Sequence, residues 1–126
     1  MAFYISDNDF ETIVKQSIEN IPSVYKDNLE SVGFFVEEEP TKEQSKKLKL
    51  RPCDSLFGLF EGVPKTENDG GYALTLPSKI TIFKKAHEMN SNNLEDLKAQ
   101  VNDSVWHEVA HYYGLSHADM AKIKRN

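Results

Sequence analysis

The sequence predicts an α+β fold in a single domain over residues 1–126, with a small mixed sheet packed on a long C-terminal helix and on N-terminal helices. Three patterns predict it. Apolar residues recur at helical spacing near the start of the chain, short apolar runs bounded by turn residues occupy its middle, and a longer helical pattern closes it. A chain of 126 residues can bury one core without disulfide staples and has little left for a second.

Ser6 and Asp9 mark the start of the first helix, with acidic side chains suited to its first turn. Phe10, Ile13, Val14, Ser17, Ile18 and Ile21 then form its apolar face, and Pro22 with Ser23 ends it. A second short helix is expected through Val24, Tyr25 and Leu29. Residues 32–36 (VGFFV) read as a buried strand, closed by Glu37, Glu38, Glu39 and Pro40. The lysine-rich stretch 41–52 carries no strong core face and reads as an exposed excursion, with room for a short helix.

Residues 56–61 (LFGLFE) predict a second strand, stopped by Gly62, Val63 and Pro64. A turn-rich loop over 66–71 and a short alternating strand over 72–76 follow. Ile80, Ile82 and Phe83 mark a further strand. The last helix starts near Asn92 or Asn93, and Leu94, Leu97, Val101, Val105 and Tyr112 line one of its faces. Trp106, Val109, Ala110 and Tyr113 widen that face until the final turns are apolar on most sides, so this helix belongs inside the protein.

The formal net charge is −5. Lys46, Lys47, Lys49 and Arg51 form the densest basic cluster and Lys84 with Lys85 a weaker one. Both read as solvated faces, so no nucleic-acid partner is expected. Cys53 is the one cysteine; it suits a reducing compartment and reads as a small core residue. The start, MAFYISDNDF, lacks the basic and long apolar stretches of a secretory signal. No apolar run reaches the length of a membrane span. The expectation is a cytoplasmic protein with no membrane partner and no particular oligomeric state.

Inside the last helix lies His107-Glu108-Val109-Ala110-His111, followed by Gly114 and His117. Side chains four apart on a helix share a face, with Cβ atoms about 5–6 Å apart. Two imidazoles so placed can converge on one zinc ion about 2.0–2.1 Å from each nitrogen. In an unbroken helix His117 would lie about 240° around from His111 and about 9 Å further along, out of reach. Gly114 stands where a helix must stop, and lets the chain turn back through Leu115 and Ser116 to bring His117 under the metal. Three protein ligands leave a coordination position open, as in catalytic zinc sites. Glu108 points about 100° around the helix from His107, where it can act as general base toward a metal-activated water. The bland alternative is a satisfied polar network in the core. An uncompensated carboxylate on an apolar helix is expensive, which argues against it.

Three other residues come into view. His87 follows Lys84, Lys85 and Ala86 in a polar segment and reads as a surface residue. Asp119 reads as a helix-start residue, with orientation of a ligand imidazole as the alternative. Tyr72, after Gly70 and Gly71, reads as core packing, with stabilisation of an oxyanion as the alternative.

HEVAHYYGLSH over 107–117 resembles the extended zinc motif of the metzincin peptidases. Their methionine turn lies well downstream of the third ligand, whereas only nine residues follow His117 and Met120 is too close for that role. A fuller resemblance is to the minimal bacterial zincin-like metallopeptidases. It runs through the Phe10-Glu11 helix start, LFGLFEGVP at 56–64, the Gly-Gly-Tyr turn and LPSKITIFKK at 76–85, and ends in the C-terminal motif. Members often carry aspartate where His117 stands, which makes Asp119 a reserve ligand. The resemblance implies a compact zincin-like fold and assignment to the peptidases, without a particular substrate.

The leading expectation is a zinc-dependent metallopeptidase with one zinc ion on His107, His111 and His117, Glu108 as base, and a peptide or protein as substrate. One alternative is a metal-dependent endoribonuclease of the three-histidine type, whose family lacks a glutamate after the first histidine. The other is a non-catalytic zinc-containing module that binds a partner protein.

Overall fold

The computed structural model describes residues 2–48, 56–62 and 78–122, the side chains of His117 and Ala121 excepted. The expected loop over 66–71, the strand over 72–76, Tyr72, Cys53, Lys49 and Arg51 lie outside the described residues. Along the chain run α1 (Asp7–Glu19), α2 (Ser23–Lys26), β1 (Val32–Glu37), α3 (Lys42–Lys47), β2 (Gly58–Glu61), β3 (Ser78–Phe83), α4 (Lys84–Met89), α5 (Leu94–Tyr112) and α6 (His117–Lys122).

The helix starts follow from side-chain capping. The Ser6 hydroxyl accepts the backbone N–H of Asp9 at 3.1 Å, and Asn93 accepts that of Asp96 at 2.9 Å, each satisfying a donor the first turn leaves unpaired. Thr41 and Gln44 form a reciprocal capping box that starts α3. The 41–52 stretch is thus helical over six residues. No residue of α3 is buried, so its exposure agrees with its composition. Gln44 then donates to the Glu61 carboxylate at 3.1 Å and ties α3 to the end of β2.

The three strands form a mixed sheet in the order β1-β3-β2, with β1 parallel and β2 antiparallel to β3. The pleat sends alternate residues to opposite faces. The register therefore puts Val32, Phe34 and Val36, Ile80 and Ile82, and Gly58 and Phe60 on one face. That face packs on α5, and α1 packs on α5 in turn. Phe10, Ile13 and Val14 of α1 meet Leu97, Val101, Val105 and Val109 of α5 in the same buried cluster as Ile80 and Ile82. The small mixed sheet on a long helix with N-terminal helices beside it is the α+β arrangement the sequence predicts. The long helix lies between the sheet and α1, and for that reason its last turns are apolar on most sides.

His87 departs from expectation. It is fully buried, not on the surface. The polar segment 84–89 folds as α4 and sinks Lys84, His87 and Glu88 into the protein, with each polar group paired. The Lys84 ammonium bonds the Asp7 carboxylate at 2.8 Å, and Glu88 accepts the backbone N–H of Ile5 at 2.9 Å. The polarity of the segment satisfies partners from α1, its preceding loop and α5 rather than solvent.

Candidate metal centre

The site stands on the last two turns of α5, where β2 crosses the helix. His107, Glu108 and His111 each bring a donor atom into a group whose members lie within 4.8 Å of one another. The two imidazoles lie one turn apart, with ring centroids 4.4 Å apart and planes at 64°, as the four-residue spacing requires. Glu108 is placed so that its Oε1 lies 3.2 Å from Nδ1 of His111. Glu108 is buried, whereas both histidines are half-exposed.

A cleft of about 620 Å³ opens in front of these three residues. Leu48, Leu56, Phe57, Leu59 and Phe60 make its apolar wall, and Asp103 and Ser104 continue the α5 side. Gly58 belongs to the same wall for a steric reason. A Cβ built there would lie 3.1 Å from Cγ of Glu108 and 3.2 Å from Cδ1 of Ile82. The missing side chain on β2 is the space that the Glu108 stem occupies.

Burial pushes the Glu108 carboxyl above its ordinary range, because desolvation disfavours the charged form. The neighbouring His107 and a hydrogen bond from the Phe60 backbone N–H act in the opposite direction. The outcome is a carboxylate in a largely apolar pocket, held by β2 and more basic than an exposed glutamate. Such a group accepts a proton readily.

The helix ends as the glycine predicts. Gly114 adopts φ 71°, its N–H donates to the His111 carbonyl and that of Leu115 to the Ala110 carbonyl, both at 3.0 Å. This paired 5→2 and 6→1 pattern closes a helix through a left-handed residue. Two residues later Ser116 and Asp119 cap each other reciprocally at 3.1 Å and start α6 at His117. Asp119 is therefore a helix-start residue, and its hydrogen bonds with Ser116 hold its carboxyl below the usual carboxylate range. The His117 side chain lies outside the described residues, although its backbone opens α6 directly after the reversal at Gly114.

Two imidazoles one turn apart on a helix suit a borderline cation such as zinc, and the carboxylate within 4.8 Å of them stands where it can serve a group held by the pair. Their half-buried, cleft-facing position leaves room for further donors. The chemistry of the set fits the metal that the motif implies.

A helix-borne histidine pair that could hold a metal, beside a short mixed sheet, is the arrangement of the zincin class. A family model described as zincin-like metallopeptidase matches residues 29–126, and the chain belongs to that family. No curated protein matches the sequence. Among the described residues no helix is long and apolar enough to cross a membrane.

Two features of the site escape the sequence reading. Gly58 carries no chemistry of its own and lies unmarked within LFGLFEGVP at 56–64, so only the contact with Glu108 reveals its role. The Ser104–His87 pair joins residues 17 apart on different helices. The one available signal is the position of Ser104, a turn before His107 and Glu108 on the same stripe.

Proposed function

We propose that the protein is a cytoplasmic zinc-dependent peptidase in which His107, His111 and His117 hold one zinc ion and Glu108 is the general base. The observation that carries this reading is the meeting of a buried carboxylate with two imidazoles at the floor of an apolar-walled cleft. Family membership favours a peptide over RNA as substrate.

Bound zinc supplies Lewis acidity toward a scissile carbonyl and lowers the pKa of water toward about 7. The chain's own residues supply the proton traffic and the positioning. Glu108, its basicity raised by burial, takes a proton from the attacking water and returns it to the leaving amine. The Phe60 N–H and the space at Gly58 fix where that carboxylate stands. His117, the first residue of α6, joins from beyond the helix stop.

Strand β2 pairs with β3 on one side, and among the described residues no strand pairs with its other side. An extended peptide laid along that edge adds a strand to the sheet and carries its bonds past Glu108. The apolar wall suits bulky aliphatic or aromatic side chains.

The test is Glu108→Gln. Zinc content should stay at one ion per chain, while hydrolysis of unfolded casein falls by about 10²–10⁴-fold. Undiminished turnover removes Glu108 from the reaction, and loss of zinc would make it a ligand instead. Structured RNA should remain intact under the same conditions.

A further inference from the structure

One turn ahead of His107 and Glu108 on α5, Ser104 lines the same cleft, and its partner is the fully buried His87. The His87 ring packs against Phe10, tilted at 51°, and edge-on against Phe57, with centroids at 5.7 and 5.1 Å. Its Nδ1 lies 2.7 Å from the Phe83 carbonyl oxygen, and its Nε2 lies 2.8 Å from Oγ of Ser104.

These two contacts determine where the protons are. A carbonyl oxygen only accepts, so Nδ1 must carry the ring hydrogen. Burial disfavours the imidazolium and lowers the pKa of His87, so the ring is neutral and Nε2 is an acceptor. The Ser104 hydroxyl must then donate to Nε2. Its hydrogen is spent on the protein interior, and what Oγ offers to the cleft is lone pairs alone.

We propose that the His87–Ser104 pair is a substrate-positioning device, in which Oγ of Ser104 accepts a backbone N–H of the bound peptide. This inference rests on the peptidase reading and adds a second point of attachment to it. Four residues of helix separate Ser104 from Glu108 by about 6 Å along the axis, close to two residues of extended chain at about 3.3 Å each. The N–H that Ser104 accepts therefore belongs about two residues from the bond being cut. A free serine hydroxyl would serve donors and acceptors alike. One polarised by His87 discriminates in favour of an N–H donor and against a carbonyl, and so contributes to the register of the peptide.

The experiment uses the Glu108→Gln protein loaded with zinc, so that peptides bind without being cut. The probe is a blocked heptapeptide with leucine at its three central positions and lysine at both ends. Its companions carry a methyl group on one backbone nitrogen at a time. One methylated peptide should bind about tenfold more weakly than the parent, the size of one lost hydrogen bond. That same methylation should cost nothing further once Ser104→Ala is added, and Ser104→Thr should restore the discrimination.

Equal losses with and without the Ser104→Ala substitution overturn the proposal. So does failure of both proteins to bind any peptide. Whether the wild-type protein cleaves the parent peptide is scored separately, and failure there counts against the peptidase reading. A second measurement needs no variant: the nitrogen chemical shifts of His87 should report a neutral ring protonated at Nδ1. A proton on Nε2 would reverse the Ser104 bond and overturn the proposal.

Discussion

His87 meets α5 at Ser104, one turn ahead of the pair His107/His111, yet the surroundings of the two are opposites. His87 is sealed, with two phenylalanine rings against it and each ring nitrogen engaged by the protein. His107 and His111 are half-exposed at the floor of a cleft, with a carboxylate beside them. One environment stabilises a neutral imidazole and uses it as a structural acceptor. The other gathers donors around a point where a cation can sit. The residue type is the same, and what differs is whether its polar atoms are consumed by the fold or presented by it.

That contrast predicts a double dissociation. His111→Ala should reduce zinc from one ion per chain to near zero and abolish peptide hydrolysis, while the metal-free protein keeps its stability within about 0.5 kcal/mol. Metal analysis together with denaturant unfolding checks both parts. His87→Ala should do the reverse. It opens a cavity and removes the partner of the Ser104 hydroxyl, while the Phe83 carbonyl keeps the backbone N–H of residue 87 as the first bond of α4. The cost is about 2–3 kcal/mol, with zinc content unchanged.

The sealed histidine also sets a pH dependence. Burial lowers its pKa below the ordinary 6.5, so the unfolded chain takes up the proton first as pH falls. Its stabilising contribution is complete above pH 6.5 and is lost as pH drops through the folded-state value. Unfolding of the wild type should steepen below pH 6.5, and His87→Gln should flatten that part of the profile.

The cleft side is sharpened by Gly58→Ala. The new methyl would press on Cγ of Glu108 and Cδ1 of Ile82, costing about 1 kcal/mol of stability. Turnover should fall more than peptide affinity, because the carboxylate is displaced and the wall is otherwise intact. The smallest expected effect is at the helix stop. Gly114→Ala places a side chain at φ 71° and should cost about 1 kcal/mol, with a weakened hold on zinc.

Much of this is legible in the sequence where local physics decides. Caps at Ser6 and Asn93, the stop at Gly114 and the strand runs at 32–36 and 80–83 each depend on neighbours within a few residues. The histidine spacing is local for the same reason. Long-range partnership is not legible. The segment 84–89 is polar and reads as solvated, but Lys84, His87 and Glu88 find their partners at Asp7, Ser104 and Ile5, between 17 and 83 positions away. The capping box at Thr41 and Gln44 is visible in principle, since its residues are three apart, yet the lack of an apolar face conceals the helix it starts. Gly58 shows its purpose only when β2 is laid across α5.

The double cap between α5 and α6 has a mechanical consequence. One helix is finished by Gly114 and the next is capped afresh by Ser116, so the third histidine of the motif belongs to a second helix. A cation gripped from both helices, as proposed above, would become a rivet across the joint. Stripping it should loosen the C-terminal helix, leaving the sheet and the sandwiched helix tight.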